Sequence, residues 1–169
     1  MDENLDYCRL SFERSDYYHY LISLYMPRDK RAGLWTLGAF KNVIEQIPMS
    51  ITEPALGYMR LTWWRDQIEL LGQGQVTSGQ PILAALKEHC HPCESRDLIA
   101  IINEHEDLVE NKRDDFRSAE YQKILEKFLG EDFPRYQKLE NKLTAILKKH
   151  HGTKWEAHPP FLALRLWLT

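Results

Sequence analysis

Several features that would place a protein in a broad class are missing from this sequence. No apolar run reaches about eighteen residues, the length that a membrane-crossing helix needs, so we predict no transmembrane segment and leave only peripheral membrane contact open. The three cysteines do not suggest a disulfide scaffold. A formal net charge of −3 gives no electrostatic case for nucleic-acid binding. The acidic N-terminus shows neither a signal peptide nor a transit peptide, so we expect a cytoplasmic protein of bacterial type.

Strand-like alternation is also missing, and helical periods take its place. Apolar residues recur three or four positions apart through most of the chain. The predicted helices span residues 17–25, 31–47, 55–71, 81–90, 96–111, 118–129 and 134–150. Residues 1–14 are polar and are expected to fray in part, whereas residues 161–169 are expected to form an apolar helix or tail. We therefore predict one all-α domain over residues 1–169, a bundle of about six to eight helices.

One motif has the residue types of a metal or redox site. Cys90 and Cys93 form a C-x-x-C pattern, which makes them weak candidates for metal ligands. A second Cys/His pair at zinc-finger spacing is missing, and no strand is predicted beside the motif, as a redox protein of the usual kind would have. We therefore predict a helix end with two half-buried cysteines and no cofactor. A Cys/His metal-binding protein is kept as the lesser alternative.

Adjacent tryptophans, Trp63 and Trp64, lie in the third predicted helix. Neighbouring positions on a helix point in different directions, so the two rings cannot share one face. One ring could enter the core while the other lies against a neighbouring helix or a partner. The alternative, which we favour here, is that both rings belong to the core.

The stretch from Asp16 to Asp66 resembles a known family. It reads D-Y-Y-x-Y, then L-Y-x-P-x-x-x-R-x-x-L-x-x-L-x-A-F, then E-P-x-x-G-x-x-R-L-x-W-W-R-D. These motifs are similar to those of the squalene/phytoene synthase family, and most of all to the branch of short members that includes a mitochondrial complex I assembly factor. The resemblance covers about residues 8–130. It implies an all-α bundle of the isoprenoid synthase type, here in a truncated form.

Catalytic members of that family hold Mg²⁺ and a prenyl diphosphate between two aspartate-rich motifs, and this sequence departs from both. The paired aspartates of the first motif correspond to Glu45 and Met49, and a thioether is no ligand for Mg²⁺. The tyrosine and arginine ahead of that motif correspond to Gly38 and Asn42. The second motif has no counterpart, as if the central helices were removed. No catalytic residue is therefore predicted, and Mg²⁺ is expected only if some prenyl diphosphate binding persists.

The resemblance implies two sets of candidate residues. The candidates for a degenerate diphosphate pocket are Arg31, Lys41, Glu45, Arg60 and Asp107. The candidates for a family-motif or partner surface are Trp63, Trp64, Arg65 and Asp66. We expect a non-catalytic protein that acts as an interaction or assembly-factor-type module. The alternative is an isoprenoid-diphosphate binder or a prenyltransferase of the squalene/phytoene synthase type.

A protein partner or self-association is expected from the same reasoning. Helices that would face the missing central helices are left with apolar surface, and residues 161–168 add six large apolar side chains with one charge among them. Such a surface is normally covered. A symmetric dimer would cover it on both chains at once, whereas closure of the remaining helices around the tail is the alternative.

Overall fold

A computed structural model describes residues 2–75, 79–91, 93–112 and 117–150, with the side chains of 147–150 excepted. These residues form eight α-helices and one short 3-10 helix, and no strand occurs among them. The α-helices are α1 (Glu3–Ser15), α2 (Tyr17–Ser23), α3 (Arg28–Ser50), α4 (Pro54–Gly72), α5 (Pro81–His89), α6 (Ser95–Glu110), α7 (Ala119–Leu129) and α8 (Phe133–His150). The predicted all-α bundle is confirmed. The apolar segment 161–169 lies outside the described residues.

The N-terminal segment corrects the sequence prediction, because it is a regular helix rather than a partly frayed one. Asp2 caps α1 by accepting a hydrogen bond from the Asn4 backbone N–H at 3.1 Å. Cys8 and Phe12, one turn apart, are buried, and α1 packs against both α3 and α5. Two buried side chains on an otherwise polar helix are enough to fix it on the core.

Helix α3 is the central element of the bundle and contacts α1, α2, α4, α5, α6 and α7. The residues that its helical period predicts as apolar are all buried. They are Leu34, Leu37, Phe40, Ile44 and Ile47. Pro27 precedes its first turn, and Pro48 lies in its last turn, next to the helix end at Ser50. One long helix therefore carries both the core and the family motif positions.

Helix α4 begins at Pro54, one residue before the predicted start, with Glu53 as the N-cap, but no side chain donates or accepts a capping hydrogen bond there. Leu61, Trp64 and Ile68 are buried, and α4 packs mainly against α6. The close approach passes through Gly57, where an added Cβ would lie 2.3 Å from the Ile51 side chain and 3.0 Å from Val109. One face of α4 is thereby fixed to the bundle.

The remaining helix ends follow their capping residues. Glu94 caps α6, because Glu94 and Asp97 bond reciprocally as a capping box. Ser118 caps α7 by accepting a hydrogen bond from the Tyr121 N–H at 3.0 Å. Gly130, with φ of +55°, ends α7 as predicted and leads through the 3-10 helix into α8.

In the described part of the chain, no helix is long and apolar enough to cross a membrane.

Candidate functional site

A cavity of about 260 Å³ lies between α2, α3, α7 and α8. Its lining is largely polar and charged: His19, Lys41, Glu45, Arg117, Ser118, Tyr121, Gln122, Glu140 and Thr144. These residues come from four separate helices and the segment before α7, so only the folded bundle brings them together. We call this the charged cavity.

His19 is held in the charged cavity by carboxylates at both ring nitrogens. Its Nδ1 lies 2.7 Å from Asp16 Oδ1 and 2.8 Å from Oδ2, and its Nε2 lies 3.3 Å from Glu140 Oε1. Burial alone would lower the pKa of His19, but the hydrogen bonds to Asp16 and Glu140 outweigh it and raise the pKa to about 9. Accordingly, His19 is an imidazolium at neutral pH and donates to both acids.

Asp16 has two further roles in the same place. Its side chain caps α2 by accepting a hydrogen bond from the His19 backbone N–H at 3.3 Å, which fixes the carboxylate beside the imidazole Nδ1. Burial would raise the pKa of Asp16, yet the hydrogen bond and charge of His19, with Lys41 nearby, lower it. The His19 hydrogen bond lowers the pKa of Glu140 as well. Both acids are therefore carboxylates in the folded protein.

Lys41 extends this network along α3. Its Nζ lies 2.9 Å from Glu45 Oε2 and 3.6 Å from Asp16 Oδ2, and it also stands 5.5 Å from the centroid of the Tyr121 ring. The ammonium group thus joins two carboxylates and an aromatic face. Cations and acids alternate through the cavity from Glu140 to Glu45, so its charges are largely balanced from within.

Only two of the five residues predicted for a diphosphate pocket, Lys41 and Glu45, meet in the charged cavity. Arg31 donates from Nε to the Met26 carbonyl at 3.0 Å, and lies about 21 Å along α3 from Glu45 at 1.5 Å per residue. Arg60 is exposed on α4. Asp107 is exposed on α6, where its charge acts on the Tyr58 hydroxyl.

The motif positions on α3 differ from a metal-binding helix face. Glu45 enters the cavity, but Met49, one turn later, is 44% exposed. At Gly38 the ring of Phe12 takes the space of a side chain, because an added Cβ would lie 2.4 Å from a ring carbon. Asn42 is buried. Helix α1 therefore covers α3 at Gly38, where the resemblance implies a tyrosine in catalytic members.

The two tryptophans separate, which corrects the expectation that both belong to the core. Trp64 is 5% exposed, with its ring centroid 5.7 Å from that of Phe40, whereas Trp63 is 41% exposed and touches Trp64 edge to face. Arg65 donates to Asn103 Oδ1 at 2.9 Å and pairs with Glu106, which fixes α4 to α6. Asp66 is exposed.

Helix α4 presents apolar side chains to solvent on its other side. Leu56, Met59 and Trp63 lie at helical spacing on one stripe, 42%, 67% and 41% exposed. We call these three residues the α4 stripe. Beside it, Arg60, Trp63 and Trp64 line a groove of about 340 Å³ between α3 and α4. This is an exposed, partly aromatic surface suited to a macromolecular contact rather than an enclosed small-molecule site.

The C-x-x-C motif lies elsewhere, at the junction of α5 and α6. Cys90 is buried and Cys93 is half-buried, so the predicted pair of half-buried cysteines is correct only for Cys93. Among the described residues, one group of acid and imidazole side chains has its polar atoms within 4.8 Å of one another. It consists of Asp2, Glu88 and His89 and includes neither cysteine.

Sequence reasoning missed the acid–imidazole part of the charged cavity. The sequence analysis identifies Asp16 only as a motif residue, and it identifies neither His19 nor Glu140. The signal for Glu140 was present, because it lies on the apolar side of α8, four residues after the buried Tyr136 and three before the buried Leu143. An acid in that position needs a buried cation as a partner.

The motif positions lie on α3 and α4 of an all-α helical bundle, and comparisons with known proteins identify the family to which they belong. Residues 12–124 match the family described as squalene/phytoene synthase. The chain belongs to that family, and its match covers α2 to α6 and the motif positions on α3 and α4.

The curated relatives carry the name NADH dehydrogenase (ubiquinone) complex I, assembly factor 6. The Bos taurus protein is 30% identical over 108 residues, and the Homo sapiens protein 29%, each match covering 63% of this chain and 32% of the relative. The Drosophila melanogaster homolog is 33% identical over 97 residues, covering 54% of this chain and 28% of the relative. The matches thus span about a third of the length of these relatives. No solved structure matches the chain significantly.

Proposed function

We propose that this chain is a non-catalytic member of the squalene/phytoene synthase family that works by docking to a protein partner, as an assembly-factor-type module. The observation that carries the proposal is the internal pairing of the charged cavity. Lys41 already bonds Glu45 and faces Asp16, and His19 bonds both Asp16 and Glu140. These charged side chains are therefore paired with one another inside the cavity.

Prenyl transfer needs a different arrangement. Two Mg²⁺-binding carboxylates must face one another with open coordination positions, and unpaired cations must offset the diphosphate. Here the carboxylate of Glu45 is bonded to a lysine, and its partner position is the exposed Met49. Breaking partly buried ion pairs to admit a metal leaves charges uncompensated, which is costly. We therefore propose a pseudoenzyme that needs no Mg²⁺ or other cofactor.

The α4 stripe is the docking surface in this proposal. Met59 and Trp63 supply the adaptable and aromatic side chains that are frequent in protein interfaces, and the exposed Arg60 adds the cation most common among interface hot spots. The buried side of α4 and the Arg65 bonds to α6 hold this surface rigid. A rigid apolar surface loses little conformational entropy on binding.

The names of the relatives suggest the class of partner. They are assembly factors of a respiratory NADH dehydrogenase, and we propose that the partner here is a protein of such a complex or of its assembly intermediates. The support is the shared family, together with the 30% identity to the Bos taurus protein over a match that covers 63% of this chain.

A photo-crosslinking side chain placed at Met59 tests the docking surface. The matched control carries the same side chain at Lys138, an exposed position on α8. In cells that contain the dehydrogenase, Met59 should crosslink to a dehydrogenase subunit or assembly intermediate, and Lys138 should not. Equal products from both positions, or none from Met59, would contradict the proposal.

Incubation of the full chain with Mg²⁺ and farnesyl or geranylgeranyl diphosphate tests the enzymatic alternative. We expect no condensed product, because Glu45 and Met49 replace the paired aspartates of the family. Turnover that the Glu45→Ala variant abolishes would show instead that the charged cavity is an active site.

A further inference from the structure

The proposed docking function does not use the C-x-x-C motif. The structure adds to the sequence pattern the relative position of the two cysteines. The Cys93 N–H donates to the Cys90 carbonyl at 2.8 Å, which closes a four-residue turn between α5 and α6. Such a turn holds its first and last Cα atoms within about 7 Å. Disulfide-bonded cysteines have Cα atoms about 4.4–6.8 Å apart. The backbone is therefore already close to the geometry of a disulfide.

The two thiols are also in contact and occupy unequal environments. Their side chains are close enough for each thiol to shift the pKa of the other. Cys90 is buried, with its Sγ 3.7 Å from the Gly33 carbonyl of α3. Cys93 is half-buried and lines an open cavity of about 640 Å³ between α4, α5 and α6. A small reagent entering that cavity meets the half-buried Cys93 more readily than Cys90, which lines the same cavity but is buried.

We propose that Cys90 and Cys93 form a reversible dithiol–disulfide site that reacts with low-molecular-weight disulfides of the glutathione type. Cys93 is the attacking cysteine and Cys90 the resolving one. The site is separate from the charged cavity and from the α4 stripe, so its failure would leave the docking proposal standing.

Electrostatics around the turn favour this order. The interaction between the two thiols lowers the pKa of Cys93, although burial opposes it there. The same interaction and burial both raise the pKa of Cys90. The charge of Lys127 also lowers the pKa of Cys93, although the nearby Asp97 opposes it. Cys93 directly precedes the N-cap of α6, where the positive end of a sixteen-residue helix stabilises a thiolate.

The reaction balances with the disulfide as the oxidant. The Cys93 thiolate attacks one sulfur of the small disulfide, the S–S bond breaks, and one thiolate leaves. The Cys90 thiol then releases its proton, and its sulfur attacks the Cys93 sulfur of the mixed disulfide. The second small thiolate leaves, and protons from the two cysteines convert both leaving groups to thiols. The cysteine pair loses two electrons, and the small disulfide gains them.

Oxidation would join the end of α5 covalently to the start of α6. Both cysteines line the 640 Å³ cavity, together with residues from the end of α4. Intracellular disulfides of this kind are usually transient and used in catalysis or redox sensing. The oxidation state of the proposed site would thus follow the thiol–disulfide ratio around the protein. The charged cavity would not be altered.

The full chain in glutathione buffers of graded ratio tests the pair directly. Samples are quenched with acid, alkylated and analysed by peptide mass mapping. The expected result is a Cys90–Cys93 disulfide that follows a two-electron titration, while Cys8 stays reduced because burial raises its pKa to about 12. Absence of that disulfide at every buffer ratio would overturn the proposal.

Single variants test the order of attack. Cys90→Ala should accumulate glutathione on Cys93, whereas Cys93→Ala should acquire it on Cys90 at least about tenfold more slowly. Equal rates at the two positions would refute the assigned roles. If either variant fails to fold, alkylation of the wild-type chain tests the same assignment. In the wild-type chain, Cys93 should react at least about tenfold faster than Cys90.

The pH dependence of Cys93 alkylation supplies an independent measurement. Lys127→Gln should move its midpoint to higher pH, because the variant removes a cation and leaves Asp97 without its 2.7 Å ion pair. Lys123→Gln is the matched control, since Lys123 pairs with Glu120 and does not act on Cys93. Identical profiles for the two variants would show that the microenvironment of Cys93 does not set its reactivity.

Discussion

The imidazole of His19 lies 2.7 Å from the carboxylate of Asp16, within one turn of α2, and this contact makes the folding stability depend on pH. His19 has a folded pKa of about 9, above the unfolded value near 6.5. Its contribution is therefore fully present below about pH 6.5 and is lost as the pH rises through about 9. The pKa values of Asp16 and Glu140 are lowered, so their contributions are lost as the pH falls.

The first prediction is a maximum of stability between about pH 5 and pH 6.5, where all three groups are charged. From pH 6.5 to pH 9 the free energy of unfolding should fall by about 1–2 kcal/mol, a value reduced because solvent reaches a third of the His19 ring. Urea denaturation across this range measures it. His19→Asn should flatten the slope between pH 6.5 and pH 9, and an unchanged slope would show that another group titrates there.

The second prediction uses the adjacent tryptophans as a matched pair. Trp64→Ala should lower the free energy of unfolding by about 3–5 kcal/mol, because it empties a core position against Phe40. Trp63→Ala should cost less than about 1 kcal/mol, since its ring is 41% exposed. Denaturant unfolding of both variants, at dilutions where the chain is monomeric, measures the difference. Similar losses in the monomer would contradict the division of the two rings between core and surface.

Periodicity predicted most of the fold but not its first helix. The spacing of Leu34, Leu37 and Phe40 identified the buried face of α3, and the structure buries all three. Residues 3–15 carry too few apolar side chains for a strong helical pattern, and only Cys8 and Phe12 of them are buried. The missing information was tertiary, because it is the groove at Gly38 of α3 that gives Phe12 its place.

The candidate site was harder to predict for a similar reason. Lys41 and Glu45 are one turn apart on α3, so their contact follows from local spacing. The bond from His19 to Glu140 joins positions 121 residues apart, which no local pattern reveals. Arg31 and Arg60 were chosen for their charge alone, and charge does not determine which face of the bundle a residue occupies.

The third prediction concerns the contact between Gly38 and Phe12. Gly38→Ala places a methyl group 2.4 Å from the Phe12 ring, and we expect a loss of about 1–3 kcal/mol despite the better helix propensity of alanine. Phe12→Leu gives the methyl group room, so Gly38→Ala should cost less in that background. Thermal unfolding of the two single variants and the double variant measures the coupling. Gly79→Ala is the control, because an added Cβ there meets nothing within 4 Å.

Purely additive effects of Gly38→Ala and Phe12→Leu would contradict this prediction. They would indicate that α1 is not seated on α3 at this point. In that case the space beside Gly38 would be open, and the argument that α1 covers the motif face of α3 would fail with it.

The last prediction is that the α4 stripe is covered in solution, and that in the absence of another partner a second copy of the chain covers it. Met59 is 67% exposed and Trp63 41%, and a cluster of large apolar side chains on one helix face is normally buried in an interface. A two-fold symmetric contact would bury both stripes at once. We expect sedimentation at micromolar concentration to give twice the chain mass of 20.0 kDa.

Two variants show which surface forms the dimer. Met59→Lys places a charge at the centre of the α4 stripe and should shift the protein to monomer, because a buried unpaired charge is costly. Leu10→Lys is the matched control: Leu10 is exposed on α1, so the same charge there should leave the dimer intact. Deletion of residues 160–169 distinguishes a dimer formed through the apolar C-terminal segment from a dimer formed through the α4 stripe. The deletion should release monomers only if that segment forms the interface. A wild-type protein that sediments as a monomer, unchanged by that deletion, would reject self-association and leave the α4 stripe for a different protein partner.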